Sequence, residues 1–266
     1  MIRMITSDMD GTLLKGDDWG TRRLPDDFGE VLSELEKRGV RFLAASGRTY
    51  PSVRMDFGEY ADRIDYICDN GGCLVENGKV VYINEVPRET VDKLIDLIHT
   101  RYPQGDVHLS ICTARGTYKD FDEKWPGAER ERHCTFLEPD LHKVNEPVTK
   151  FVMAGEFDSF AVKAELDPIM GDELNFITSG DHFLDIMKKD VDKGSGIRFF
   201  RERWGLTKEE CMSFGDEYND LGQFSESYYS FAMGNAREEV KAYARFIADT
   251  NEHDGVTKAI WEYALK

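Results

Sequence analysis

Apolar positions change their spacing twice along the chain, and the changes mark off three stretches. In the first, short apolar runs alternate with segments of helical periodicity. Met1–Thr6 is a strand-like run broken only by Arg3, followed by a polar, Gly/Asp-rich excursion from Lys15 to Arg23. Phe28, Val31, Leu32 and Leu35 then recur at three- and four-residue intervals, which lines one face of a helix ending near Gly39. Val40–Ala45 predicts a buried strand, a second helix follows, and Ile64–Cys68 predicts another strand. Asn77-Gly78 sits between the β-prone residues of Val75–Ile83, which predicts a hairpin.

The middle stretch has a different rhythm. Val91, Leu94, Ile95 and Ile98 make one face of a helix over Pro87–Arg101. Val107–Cys112 and Val148–Ala154 are strand-like, and the polar segment between them, Gly116 to Val144, reads as irregular. Ser159–Met170 is helical, and Leu174–Thr178 and His182–Met187 are two more strands. Strands outnumber crossover helices here, which predicts an α+β module with a mostly antiparallel sheet.

The last stretch returns to alternation: helices over Gly194–Trp204, Leu221–Ser225, Glu238–Tyr243 and Gly255–Leu265, and strands over Cys211–Phe214, Tyr229–Met233 and Phe246–Ala248. Alternation at both ends predicts an α/β core, a parallel sheet with helices on both faces, split in sequence by an inserted module. The core spans 1–83 and 190–266, and the insert 84–189. At 266 residues the chain is long enough for two such bodies.

Composition narrows the field. A 41% hydrophobic and 12% aromatic content fits a globular protein, and no apolar run reaches the ~18 residues of a membrane helix. The N-terminus carries no secretory signal pattern, so a cytoplasmic location is expected. The five cysteines are scattered, without a Cys-x-x-Cys pair, and the six histidines supply no zinc-like cluster. Reduced thiols and no structural zinc follow. A net charge of −17, from 51 acidic and 34 basic residues, repels nucleic acid and anionic lipid. An anionic substrate would need a strongly cationic local site.

The chemistry starts at Asp8-Met9-Asp10-Gly11-Thr12, where the first strand meets a Gly-containing turn. Residues i and i+2 of an extended backbone share a side, so Asp8 and Asp10 face a common space. Two carboxylates held close call for a cation or a shared proton. Such strings also occur in plain surface turns. A calcium loop is excluded by spacing, since its Gly belongs at position 6 and its Glu at 12, near where Gly20 falls. Partners appear at the ends of the other predicted core strands: Ser46, Asn70, and Asp216 with Asn219 and Asp220. Lys193 stands just before the Gly-started helix over Gly194–Trp204. Ligands of open α/β sheets bind outside such strand ends.

These motifs resemble the phosphatases of the haloacid dehalogenase superfamily, Cof-type subfamily IIB with an inserted C2-type α/β cap. The resemblance rests on DMDGT at 8–12, SGR at 46–48, Lys193 in DKGSG and GDEYND at 215–220, in the family's order, with ICDNGG at 67–72, MGNA at 233–236 and HDGV near the end. It implies a Rossmann-like core, a nucleophile in Asp8 that forms an aspartyl-phosphate, and a general acid/base in Asp10. It implies Mg²⁺ held by the Asp8 carboxylate, the Asp10 carbonyl and Asp216, with Asp220 supporting the metal shell or orienting Lys193. Ser46, Gly47, Lys193, Asn219 and Asn70 would bind phosphate. Arg48 is read as structural or as a salt-bridge partner.

The resemblance makes residues 84–189 a cap that closes over the core and selects the leaving group. Arg115, Lys119 and Arg130 are candidates for a second anionic contact there, beside an ordinary surface role. The expected reaction is Mg²⁺-dependent hydrolysis of small phosphorylated metabolites, sugar phosphates or nucleotide-related compounds, by a monomer or weak homodimer. A phosphomutase of the same superfamily is the nearest alternative. A non-catalytic phospho-acceptor module is a third, although receiver domains lack the large cap and this motif order.

Overall fold

The computed structural model describes residues 1–16, 21–102, 107–121, 131–178 and 182–266. Among them two sheets form. The first has eight strands in the order β14-β13-β12-β1-β2-β3-β4-β5. Its members are β1 (Met4–Ser7), β2 (Arg41–Ala45), β3 (Asp65–Cys68), β4 (Cys73–Glu76), β5 (Lys79–Ile83), β12 (Cys211–Gly215), β13 (Tyr229–Ala232) and β14 (Phe246–Ile247). Six of these are parallel, and β4 and β5 close one side as an antiparallel hairpin. Asn77 and Gly78, both at positive φ, turn that hairpin, as Asn-Gly predicts.

Successive strand residues point to opposite faces, and here both faces are dry. Ile5, Phe42 and Phe214 join one apolar cluster with α1 (Phe28–Lys37) and α8 (Gly255–Tyr263). Met4 and Leu43 join a second cluster with Ile197 and Phe200 of α5 (Lys193–Arg203). Burial on both faces explains why these strands are continuous apolar runs. Each fully buried Leu or Phe contributes about 1.5–3 kcal/mol. The four periodic residues read in α1, Phe28, Val31, Leu32 and Leu35, are its buried residues.

The second sheet has six strands in the order β10-β11-β9-β6-β7-β8. They are β6 (Val107–Thr113), β7 (Gly116–Lys119), β8 (Thr135–Leu137), β9 (Val148–Gly155), β10 (Leu174–Thr178) and β11 (Phe183–Lys188). All pairings are antiparallel except β7 with β8. α3 (Arg88–Arg101) and α4 (Ser159–Met170) share its apolar cluster through Leu94, Ile95 and Leu166. The chain leaves the first sheet after β5 and returns to it at α5, so the second sheet is an insertion between them. α2 (Tyr50–Phe57) completes the helices that precede it, and the short α6 (Leu221–Glu226) and α7 (Glu238–Lys241) follow it.

Two expectations need adjustment. The segment read as irregular, Gly116 to Val144, contains β7 and β8, whose residues are mostly half-buried and give no apolar run. The helix read over Glu238–Tyr243 is the single turn of α7. Among the described residues no helix is long and apolar enough to cross a membrane. All five cysteines are free and buried.

Candidate active site

Parallel pairing brings the carboxyl ends of β1, β2, β3 and β12 to one edge of the first sheet. Ser7 pairs with Ala44 on one side and Phe214 on the other. Asp8, Ser46-Gly47, Asn70 and Asp216–Asp220 therefore leave the sheet side by side. The turn after β1 closes over five residues, with the Leu13 N–H on the Asp8 carbonyl and the Leu14 N–H on the Met9 carbonyl, 3.2 and 2.9 Å. Gly11 is needed in it twice over. Its φ is +80°, and a Cβ there would lie 2.5 Å from Asp216 Oδ2. The same turn presents the Thr12 hydroxyl to Asp216 Oδ1 at 2.6 Å.

Lys193 arrives from the other direction. Asp192 caps α5, accepting from the Ser195 N–H at 2.7 Å, while Ser195 Oγ accepts from the Asp192 N–H at 3.2 Å. Gly194 lets α5 cross the start of α6 at close range: a Cβ on it would be 2.4 Å from the Gly222 carbonyl oxygen. That crossing sets Lys193, 0% exposed, between two carboxylates. Its Nζ donates to Asp8 Oδ1 at 2.5 Å and to Asp220 Oδ1 at 2.6 Å.

The carboxylates differ in what already engages them. Asp220 Oδ1 also accepts from Gln223 Nε2 at 2.7 Å, and its Oδ2 accepts from the backbone N–H groups of Asp216 and Glu217 at 2.8 and 3.0 Å. With four donors it is saturated. Asp8 and Asp216 each keep an oxygen that accepts no hydrogen bond from the described residues. Oxygens of Asp8, Asp216 and Asp220 lie within 4.8 Å of one another. Burial pushes the Asp8 carboxyl well above the usual range; Lys193 opposes this, and Asp220, Asp216 and Asp10 add to it. Burial likewise pushes Asp216 up to about 7, with Asp220 reinforcing and the Thr12 hydroxyl opposing. Burial works against the Lys193 ammonium too, but Asp220 and Asp8 outweigh it and its pKa rises. Crowded, partly unengaged oxygen donors of this kind fit a hard divalent cation.

Asp10 is less enclosed. Arg22 Nη1 lies 2.7 Å from its Oδ1 and Arg48 Nε 3.1 Å from its Oδ2, and Arg48 also pairs with Asp56 at 2.5 Å. Arg48 is thus the salt-bridge partner the sequence suggested. Ser46 is buried, and its Oγ accepts from the Arg48 N–H at 3.1 Å. Asn219 Nδ2 donates to Asn70 Oδ1 at 3.1 Å, and Gly47 packs against the same Asn70 amide. Of the insert candidates, Arg115 is exposed and pairs with Glu146 at 3.3 Å. Lys119 lies over the Phe121 ring. Arg130 lies outside the described residues.

Sequence reasoning gave Thr12 no role beyond its motif and missed Arg22 and Gln223; the three donate to Asp216, Asp10 and Asp220. Lys150 and Asp185 were missed as well. Their only signal is a charge in the middle of each apolar strand.

Residues 5–260 match the model of a family described as haloacid dehalogenase-like hydrolases. The chain is 28% identical over 263 residues to the Escherichia coli 5-amino-6-(5-phospho-D-ribitylamino)uracil phosphatase YbjI, covering 97% of this chain and 95% of that one. A Bacillus subtilis phosphatase of the same description, YcsE, is 27% identical over 278 residues, covering 99% and 96%. A solved Streptococcus mutans structure superposes with a TM-score of 0.87 at 25% identity, covering 100% of both chains. The chain belongs to the haloacid dehalogenase-like hydrolases, and the resemblance read from its motifs holds.

Proposed function

We propose that this haloacid dehalogenase-like hydrolase cleaves small phosphorylated metabolites, sugar phosphates or nucleotide-related compounds, through an aspartyl-phosphate on Asp8. The observation that carries the reading is the buried Lys193 ammonium fixed between Asp8 and Asp220. It leaves Asp8 with one oxygen held and the other unengaged. The unengaged Oδ2 attacks phosphorus, a new Asp8 O–P bond forms, and the bond from phosphorus to the ester oxygen breaks. Asp10 gives its proton to that leaving oxygen. Asp10 then takes a proton from water as the water oxygen attacks phosphorus, the Asp8 O–P bond breaks, and inorganic phosphate departs.

Mg²⁺ would be held by the Asp8 and Asp216 carboxylates and the Asp10 carbonyl, supplying positive charge against a phosphomonoester dianion. Lys193 adds a second cation, and the Ser46 hydroxyl, the Gly47 N–H and the Asn219 amide donate to phosphoryl oxygens. Asp220 keeps Lys193 in place. In the same reading residues 84–189 cap the strand ends and choose the leaving group, and the enzyme works in the cytoplasm.

The test is phosphate release from an aryl phosphate and a metabolite panel, with and without Mg²⁺. The panel includes 5-amino-6-(5-phospho-D-ribitylamino)uracil because relatives from Escherichia coli and Bacillus subtilis carry that substrate in their names. Asp8→Asn is expected to lower turnover at least about a thousandfold with an unchanged circular dichroism spectrum. Absence of turnover with every compound, or substantial activity left in D8N, would refute the proposal.

A further inference from the structure

Between the two sheets lies a buried charged pair that the reaction above does not use. Lys150 of β9 and Asp185 of β11 are 5% and 6% exposed. Lys150 is opposite Met187 and Asp185 opposite Val152, so the pair is diagonal on one face of the ladder. Lys150 Nζ donates to Asp185 Oδ1 at 3.0 Å, and also to the Gly47 carbonyl at 2.6 Å. Asp185 Oδ2 accepts from Asn70 Nδ2 at 3.1 Å, and the same Asn70 amide accepts from Asn219 through its Oδ1 at 3.1 Å. Two charges on the second sheet are thereby bonded to the loops that end β2 and β3 of the first, and through Asn70 to the loop after β12.

Stability alone does not account for this pair. Removing an ammonium and a carboxylate from water costs about what their attraction returns, and apolar residues of similar size would hold two sheets together as well. What the pair does that apolar residues cannot is fix the direction of a backbone carbonyl and of a side-chain amide. Holding the Gly47 carbonyl fixes the peptide planes that follow Ser46. Holding Asn70 fixes the partner of Asn219.

We propose that Lys150 and Asp185 are positioning residues for the phosphoryl pocket: from the second sheet they set the Ser46-Gly47 backbone and the Asn70–Asn219 amides, so the pocket is complete only when both sheets are seated together. The proposal rests on the phosphatase reading. It separates the pair from residues that choose a leaving group, because the pocket it shapes receives the phosphoryl group common to every substrate.

Two variants test it, Lys150→Met and the double change Lys150→Met with Asp185→Leu. The double variant leaves no unpaired buried charge, so it retains the fold if the single one does not. KM for an aryl phosphate and for a sugar phosphate, and Kd for inorganic phosphate by calorimetry with Mg²⁺, are expected to rise by one common factor of about tenfold or more. kcat is expected to stay within about threefold. KM within about twofold of wild type in the folded double variant overturns the inference, and so does a KM change that differs between the two leaving groups; either leaves the phosphatase reading standing. A wild-type protein that binds phosphate without turnover, with binding weakened in the variants, supports the inference and removes the phosphatase reading. A wild-type protein with neither phosphate binding nor turnover removes both.

Discussion

Asp69 should make the protein less stable as pH rises from about 4 to about 7, and Asp69→Asn should remove that loss. The residue is 0% exposed, at the end of β3, beneath the second sheet. Its Oδ2 is 2.9 Å from Thr149 Oγ1, while the same Thr149 oxygen is 3.0 Å from the Cys112 carbonyl. A hydroxyl has one proton and cannot donate to both acceptors. A neutral Asp69 resolves the conflict: its own O–H donates to Thr149, and Thr149 donates to Cys112. The other oxygen, Oδ1, is buried without a hydrogen-bond partner among the described residues. Burial accordingly pushes the carboxyl from 3.8 up to about 7, against the pull of Lys150 and Thr149.

The sign follows from proton counts. Between about pH 4 and pH 7 the folded chain keeps this proton and the unfolded chain releases it, so stability falls as pH rises. A shift from 3.8 to about 7 corresponds to about 4 kcal/mol lost by pH 8. Asparagine copies the neutral acid, donating to Thr149 and tolerating the local φ of +51°. Urea unfolding by circular dichroism at pH 4.5, 6, 7 and 8.5 compares the two proteins. The stability of D69N relative to wild type should climb by about 1.4 kcal/mol per pH unit inside the window and level off above it. A difference that stays flat from pH 4.5 to 8.5, or that falls, refutes the argument.

The reaction assignments give two further expectations. Asp10→Asn should release close to one equivalent of phenolate from an aryl phosphate in a rapid burst, because that leaving group needs no proton, and then stall before hydrolysis of the aspartyl-phosphate; stopped-flow absorbance measures it. With an alkyl phosphate the burst should vanish. Millimolar Mg²⁺ should raise the unfolding midpoint of metal-stripped wild type, reflecting a stabilisation of about 2.7 kcal/mol at a hundredfold excess over Kd. Asp216→Asn should lose most of that gain in the same thermal scan, independently of turnover.

Much of the architecture is legible because burial writes it into the chain. Strands packed on both faces become apolar runs, and α1 shows its core side at helical spacing. β7 and β8 escaped because they are held by tertiary pairing rather than by apolar content. Gly116–Lys119 pairs with β6, and Thr135–Leu137 then lies parallel to it, with almost no buried apolar residues to signal either. The site shows the same division. Asp8, Lys193, Asp216 and Asp220 are identifiable because short motifs carry them and parallel strands must deliver them to one edge. Lys150 and Asp185 belong to no such motif, and their partners Gly47 and Asn70 are about a hundred residues away in the chain.

What spacing cannot give is how the four carboxylates differ in their surroundings, and donor counts show that difference. Asp220 accepts four hydrogen bonds, and every lone-pair direction it has is committed to holding Lys193 and the turn after β12. A group so engaged is a poor nucleophile and a poor metal ligand. Among the described residues Asp216 has one donor, Thr12, and Asp8 has one, Lys193, which leaves an oxygen of each unengaged. Asp10 sits nearer solvent, paired with the Arg22 and Arg48 guanidinium groups. Four like residues thus differ in the number and kind of donors each meets, and the proposed reaction gives them distinct roles. In the proposed reaction the net charge of −17 is answered at the same place, by the fully buried Lys193 ammonium that meets the phosphoryl dianion.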